Sequence, residues 1–160
     1  MLHINQCVQN VFIKKLRNYN VGDSVKVNYE FYDDKYKDDV IKLINDSFSN
    51  HSISNILVDD NVIGLVGLID EKIVSYLNIT ICVDVIRNIK YALVNYVCVH
   101  KEYRGNDLGK DLMIKAIEIC KEKGCSKIEL TSSSEKVAAN KMYQGLGFNI
   151  RETNCYVKVI

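Results

Sequence analysis

Val94-Asn95-Tyr96-Val97-Cys98-Val99-His100-Lys101-Glu102-Tyr103-Arg104-Gly105-Asn106-Asp107-Leu108-Gly109-Lys110 decides how this chain is read. Its first six residues form an apolar, β-branched run that reads as a strand. A short polar turn with two glycines follows, then an amphipathic helix. That order sets a cluster of backbone N–H groups at the positive end of a helix dipole, and such a place binds phosphate.

The spacing narrows the ligand. A nucleoside-triphosphate loop needs four residues between its glycines, then Lys and a hydroxyl residue. Here Gly105 and Gly109 enclose three residues, and Asp111 follows Lys110. A dinucleotide fingerprint needs Gly-x-Gly-x-x-Gly, which is absent. What remains is Arg104-x-x-x-x-Gly109 with Gly105 directly after the arginine.

Composition bounds the rest. The 160 residues suit one domain with a sizeable core. A formal charge of +1 gives no bulk attraction to nucleic acid or to an acidic membrane surface. No apolar run approaches the length of a membrane span. Proline is absent, and there is no repeat or low-complexity segment. Cys7, Cys82, Cys98, Cys120, Cys125 and Cys155 are scattered without a Cys-x-x-Cys pair, which reads as buried free thiols in a reducing cytoplasm. His3, His51 and His100 fall outside ligand spacing, so no metal is expected. Residues 1–23 stand apart as an N-terminal arm or helix: the first 22 contain no Asp or Glu, and Val8, Phe12, Leu16 and Tyr19 recur at helical spacing. A targeting helix is the lesser reading there, since the segment lacks serine and has one arginine.

Residues 24–160 parse as a single α/β domain. Val25 to Phe31 alternates as a strand, and Asp38 to Phe48 carries an apolar stripe with acids in its first turn. Residues 49–60 are irregular. Val62 to Ile69 and Ile73 to Val83 are apolar runs around a three-residue hairpin signal, Asp70-Glu71-Lys72. Tyr91 to Val99 is another strand. Leu108, Leu112, Met113, Ala116, Ile117, Ile119 and Cys120 form a helical stripe stopping at Gly124. Lys127 to Thr131 is a short strand. Ser132-x-x-Glu135 reads as a capping box for a second helix ending in Gly145-Leu146-Gly147. Phe148 to Val159 is expected to supply the final strand or hairpin.

The loop resembles the Arg/Gln-x-x-Gly-x-Gly/Ala pyrophosphate loop of the GNAT superfamily, the acyl-CoA-dependent N-acyltransferases. Arg104 and Gly109 occupy its first and last fixed positions, with Asp107 at the middle glycine. Asn140-Lys141-Met142-Tyr143-Gln144-Gly145-Leu146-Gly147-Phe148 is similar to the family's Asn-x-x-x-Tyr-x-x-x-Gly-Phe segment, and Asp59-Asp60-Asn61-Val62-Ile63-Gly64 looks like the start of its second strand. The two main motifs come in the family's order, with the expected strand between them. The resemblance covers nearly everything after residue 24. It implies the GNAT fold: a mixed, mostly antiparallel sheet of six to seven strands with a splayed centre, flanked by helices.

It also implies an N-acetyltransferase that moves an acetyl group from acetyl-CoA to a primary amine by direct attack. In such a protein the main chain of Val97, Cys98 and Val99 would pair with the pantetheine arm. An N–H from that run, assigned to Val97, would face the thioester oxygen. Arg104, Gly105, Asn106, Asp107, Leu108, Gly109 and Lys110 would hold the pyrophosphate, mostly through backbone donors. Asp107 would weaken that grip, since a carboxylate repels pyrophosphate and tolerates positive φ less well than glycine. Tyr143 would protonate the departing thiolate, being protonated at neutral pH. Asn140, three residues earlier on the same helix face, would bond the cofactor. The Cys98 side chain reads as packing.

The base is left open. Asn95 and Tyr96 stand where a carboxylate would be sought. His100, Glu129 and a water relay are the alternatives. The acceptor side falls in residues 32–60, whose Asp33, Asp34, Asp38, Asp39, Asp59 and Asp60 mildly favour a cationic small-molecule or peptide amine. No nucleic acid or membrane partner is expected. A homodimer through the last strand rests on fold analogy. The rival reading is a non-catalytic acyl-CoA-binding or regulatory module.

Overall fold

The computed structural model describes residues 19–21, 25–48, 52–57 and 59–160. The rest of the N-terminal arm, with Cys7, lies outside them.

Six hydrogen-bonded strands lie side by side in chain order: β1 (Tyr19–Val21), β2 (Val25–Phe31), β3 (Val62–Ile69), β4 (Lys72–Asp84), β5 (Ile89–Val99) and β6 (Cys125–Leu130). Neighbours pair antiparallel until β5 and β6, which pair parallel. That one parallel step needs a crossover, and α2 (Leu108–Glu122) supplies it. The count of six rests on a three-residue edge pairing, so the expectation of six to seven strands reduces to a five-stranded body. Five strands, β2 to β6, form the body of the mixed sheet, with the three-residue β1 along the outer edge of β2.

Two helices cover opposite faces. On one face, Val40, Leu43 and Ile44 of α1 (Lys37–Ser47) bury against Val66, Leu68, Tyr76 and Cys98. On the other, Leu108, Leu112, Met113, Ala116 and Ile119 of α2 bury against Leu65, Leu77, Ile79, Ala92 and Val94. Each fully buried Leu or Ile contributes about 1.5–3 kcal/mol, so these stripes, rather than propensity, hold the helices in place. A third helix, α3 (Val137–Gly145), sends Tyr143 into the α2-side core.

Local chemistry corrects three expectations. The β3–β4 connection is a two-residue turn, since Asp70 (φ 47°) and Glu71 (φ 64°) are both left-handed and β4 already begins at Lys72. Such a turn matches the strand twist even without glycine. The Ser132–Glu135 capping box does not form. Instead Ser133 Oγ accepts from the Glu135 amide at 3.3 Å, and α3 starts at Val137 without a side-chain cap. A serine that bonds its neighbours' backbone locally competes with the helix start. Phe148 to Val159 forms no strand, and residues 149–160 are exposed. Arg151 ties to Glu129 of β6 at 2.9 Å, after which the chain leaves the sheet. Gly124 (φ 76°) ends α2 as expected, in the left-handed position past the cap.

Candidate active site

The site is built where two irregularities of the sheet coincide. Parallel pairing of β5 with β6 runs from Lys90/Cys125 to Val94/Leu130 and stops there. β6 ends there too, and β5 continues through Asn95, Tyr96, Val97, Cys98 and Val99 with no strand partner on that side among the described residues, so a gap opens beside it. On its other side β5 stays paired with β4, but the register slips between Tyr76/Cys98 and Asn78/Asn95. One residue of β4, Leu77, thus opposes two of β5, Tyr96 and Val97, which is a β-bulge. Tyr96 takes φ 53°, a left-handed geometry that a bulky side chain adopts at a cost of about 1–2 kcal/mol.

The bulge swaps the faces of the strand. Before it, Ala92 and Val94 point to the α2 side; after it, Val97 and Val99 do. Tyr96 and Cys98 turn to the α1 side, where the Tyr96 ring meets Phe48 edge-on at 5.8 Å and 90°. Nothing in the sequence announced this slip, because an apolar run on both faces has no alternation to break. A weaker signal was Asn78, an amide between Leu77 and Ile79. It stands opposite Asn95 beside the bulge, and its Oδ1 is buried without a partner among the described residues.

β5 leads into the loop. Gly105 (φ 84°) and Asp107 (φ 56°) both take left-handed geometry, and together they turn the chain into α2. Asp107 is the N-cap residue but its side chain makes no cap bond; it is exposed. The first helical N–H with an intrahelical acceptor is Asp111, bonded to the Asp107 carbonyl at 3.0 Å. The amides of Leu108, Gly109 and Lys110 precede it and face the loop side of the helix end. Two side chains hold the loop in shape. Arg104 Nε donates to the Val99 carbonyl at 2.9 Å, and Asn106 Nδ2 donates to the carbonyls of Tyr103 and Arg104 at 3.3 and 3.4 Å. Gly109 sits inside this junction: a Cβ there would meet Met142 Sδ of α3 at 3.4 Å and Val99 Cγ2 at 3.7 Å. Loop, β5 and α3 therefore converge at one point. The donors fit a pyrophosphate, and the unpaired edge of β5 fits an extended chain beside it.

Tyr143 lies in the core side of this junction, 9% exposed, with Phe148 edge-to-face at 6.0 Å. Burial raises its phenol pKa. Its hydroxyl makes no hydrogen bond among the described residues. Asn140 is committed in part: its Nδ2 donates to the Ser133 carbonyl at 2.9 Å, which fastens the loop ahead of α3 and leaves Oδ1 as the group for a ligand. Cys98 is buried at 5% exposure, donates its thiol to the Tyr76 carbonyl at 3.6 Å, and is pushed up to about 12 by burial. It is a packing residue, because a thiol that stays protonated is no nucleophile.

The base candidates separate. Glu129 bonds Lys127 at 2.7 Å and Arg151 at 2.9 Å, and chiefly the Lys127 bond pulls its pKa down. A carboxylate so held is a poor proton acceptor, and it pairs with Leu93 before the gap opens. His100 uses Nδ1 to accept from the Glu102 amide at 3.4 Å and packs on Tyr103 at 5.8 Å. Asn95 is exposed at the edge of the gap. Among the described residues no His, Cys, Asp and Glu side chains gather into a metal-holding group, and no helix is long and apolar enough to cross a membrane.

The fold has many solved counterparts. A protein from Bacillus halodurans C-125 described as a transcriptional regulator superposes with a TM-score of 0.75 at 22% identity, over 83% of this chain and 99% of that one. An aminoglycoside acetyltransferase from an uncultured soil metagenomic sample, in complex with sisomicin, gives 0.73 at 18%, over 84% and 97%. A ribosomal-protein-alanine N-acetyltransferase from Brucella melitensis biovar Abortus 2308 gives 0.71 at 16%, over 84% and 99%. At such identities the likeness is one of fold. The family profile described as "Acetyltransferase (GNAT) family" matches residues 21–148, a span that holds the bulge, the loop and Tyr143 alike. With that match over most of its length, the chain belongs to the GNAT acetyltransferase family.

Proposed function

We propose that this chain moves an acetyl group from acetyl-CoA to a primary amine by direct attack. One observation carries the reading: the unpaired edge of β5, Asn95 to Val99, runs straight into a loop with two left-handed residues at the start of α2. Bound there, acetyl-CoA supplies an activated acyl carbon and a thiolate leaving group. The loop from Arg104 to Lys110 holds pyrophosphate through backbone amides, with Arg104 and Lys110 adding positive charge. Val97, Cys98 and Val99 offer main-chain groups to the pantetheine arm. The Val99 carbonyl is shared with Arg104, so Val97 bears most of that pairing.

A main-chain N–H at the bulge, assigned to Val97, polarises the thioester carbonyl. One such donor in a dry site is worth about 2.7–4 kcal/mol. The neutral amine nitrogen bonds to the acyl carbon, the carbon–sulfur bond breaks, the Tyr143 proton passes to the sulfur, and the proton shed by the amine returns the phenolate to its phenol by way of water. The inert Cys98 thiol supports direct transfer rather than an acyl-enzyme. Asn140 Oδ1 is free to receive a donor from the cofactor. The free thiols of Cys82, Cys98, Cys120, Cys125 and Cys155 suit a reducing cytoplasm.

The test is thiol release from acetyl-CoA across a panel of primary amines. Tyr143→Phe is expected to lower kcat by about 10²–10⁴-fold, the span of general acid catalysis, with acetyl-CoA affinity unchanged. Acetyl-CoA binding without transfer to any amine would favour a non-catalytic module. An unchanged rate in Tyr143→Phe would remove the residue from the acid role.

A further inference from the structure

On the α1 side of the bulge stands a cation that the acetyl-transfer reading does not use. Lys136, the residue before α3, places its Nζ 4.2 Å from the centroid of the Phe48 ring. Phe48 follows α1 and meets the Tyr96 ring at the bulge. The contact therefore spans from the β6–α3 side to the α1–β5 side, across the open end of the gap. Ion pairs among the described residues join Arg87 to Asp84, Lys115 to Glu118, and both Lys127 and Arg151 to Glu129. Lys136 is in none of them. An ammonium held over an aromatic face is attracted by the ring quadrupole, which biases its position without neutralising its charge.

Among the described residues no acid is ion-paired with Lys136, although Glu135 precedes it in the chain. Asp33 Oδ1 accepts from the Lys35 amide at 3.0 Å and Asp59 Oδ1 from the Asn61 amide at 2.8 Å, so both serve as turn caps. Asp34 accepts from the Tyr32 hydroxyl at 3.4 Å, and Asp38 and Asp39 sit in the exposed first turn of α1. The charge that stands beside Tyr96 and Cys98 is positive.

Resting on the reading of this chain as an acetyltransferase, we propose that Lys136 sets acceptor specificity, favouring a primary amine that carries a carboxylate or phosphate near the reacting nitrogen. A polycation approaching the bulge meets a like charge. An amine with an anionic neighbour meets an opposite one, and its reacting nitrogen is drawn to the Tyr96 side of the gap. The charge is exposed, so the preference weakens as salt screens it.

The probes are spermidine and an aspartate-containing dipeptide with a free α-amino group, with kcat/KM measured for each in the native chain, Lys136→Met and Lys136→Arg. The dipeptide is the better acceptor of the native chain. In Lys136→Met the dipeptide-to-spermidine ratio falls about tenfold, mainly through KM; Lys136→Arg restores it, and raised salt shrinks it in the native chain. Acetyl-CoA affinity stays constant across the three. A ratio unmoved by Lys136→Met, or spermidine as the better native acceptor, overturns the proposal and leaves the acetyltransferase reading intact. Weakened acetyl-CoA binding in Lys136→Met overturns it as well, since the lysine then serves the cofactor. Transfer to neither probe, while another primary amine of the panel is acetylated, overturns the proposal alone; acetyl-CoA binding with transfer to no amine of the panel ends both.

Discussion

Asp107 holds left-handed backbone (φ 56°) where the family loop has glycine, and its exposed side chain gives no cap bond in return. Asp107→Gly removes strain on the order of 1 kcal/mol. For a chain of this size that raises Tm by about 2–4 °C, and acetyl-CoA affinity rises with it because a carboxylate leaves the anion site. Calorimetry and a binding titration check both; an unchanged affinity would show that the carboxylate never met the phosphates. Burial sets the behaviour of Tyr143. With its pKa raised above 10, the phenol stays protonated through neutral and mildly alkaline pH. Its contribution to stability is complete below the unfolded value near 10 and is lost as pH rises through the folded value. An alkaline fall in kcat due to this acid lies at or above pH 10, and a fall below pH 9 retained in Tyr143→Phe belongs to another group. Arg104, Gly109, Asn140 and Tyr143 were singled out by the family resemblance of their two motifs. The side-chain commitments were not legible: that Arg104 grips the Val99 carbonyl and Asn140 the Ser133 carbonyl depends on loop geometry that spacing does not specify.

Among the elements, β3 illustrates how the sheet accommodates the site. Gly64 lies opposite Asn78, and a Cβ on it would fall 2.5 Å from Tyr32 Cβ and 3.4 Å from the Tyr76 ring. Tyr32 crosses this glycine and meets Tyr76 edge-on at 6.4 Å. Gly64→Ala is therefore expected to overpack the α1 face by about 1–3 kcal/mol, lowering Tm by about 2–4 °C per kcal/mol. A scanning melt reads this directly; an unchanged Tm would mean that Tyr32 yields without cost. Strands and helices with strong periodicity were legible from sequence: β2, β3, β4, α1 and α2 appear within a residue or two of their expected ranges. The bulge was not, because Tyr96 to Val99 is apolar on both phases. The last strand was misjudged for a related reason: Tyr156, Val157 and Val159 make the apolar, β-favouring run of a strand, yet are 88%, 85% and 91% exposed. Pattern alone does not supply a neighbouring edge.

For the molecule as a whole, the sheet is continuous from β1 to β5 and broken at one place. Antiparallel pairing binds β2 through β5, and α1 and α2 clamp the two faces, so the far half of β5 stays on β4 beyond its bulge while β6 ends at Leu130. α2 both bridges the parallel step and points its N-terminus at the gap it creates. Fold and site thus share one cause, the crossover from β5 to β6. The central claim is that this gap and the loop beside it form an acetyl-CoA site. The most direct measurement is the thermal shift of the purified chain with acetyl-CoA, with ATP and NAD as controls. At a hundred times its dissociation constant, a ligand adds about 2.7 kcal/mol, which for this size is a rise of roughly 5–10 °C. The account predicts that rise with acetyl-CoA alone. No rise, or the same rise with all three, would contradict it.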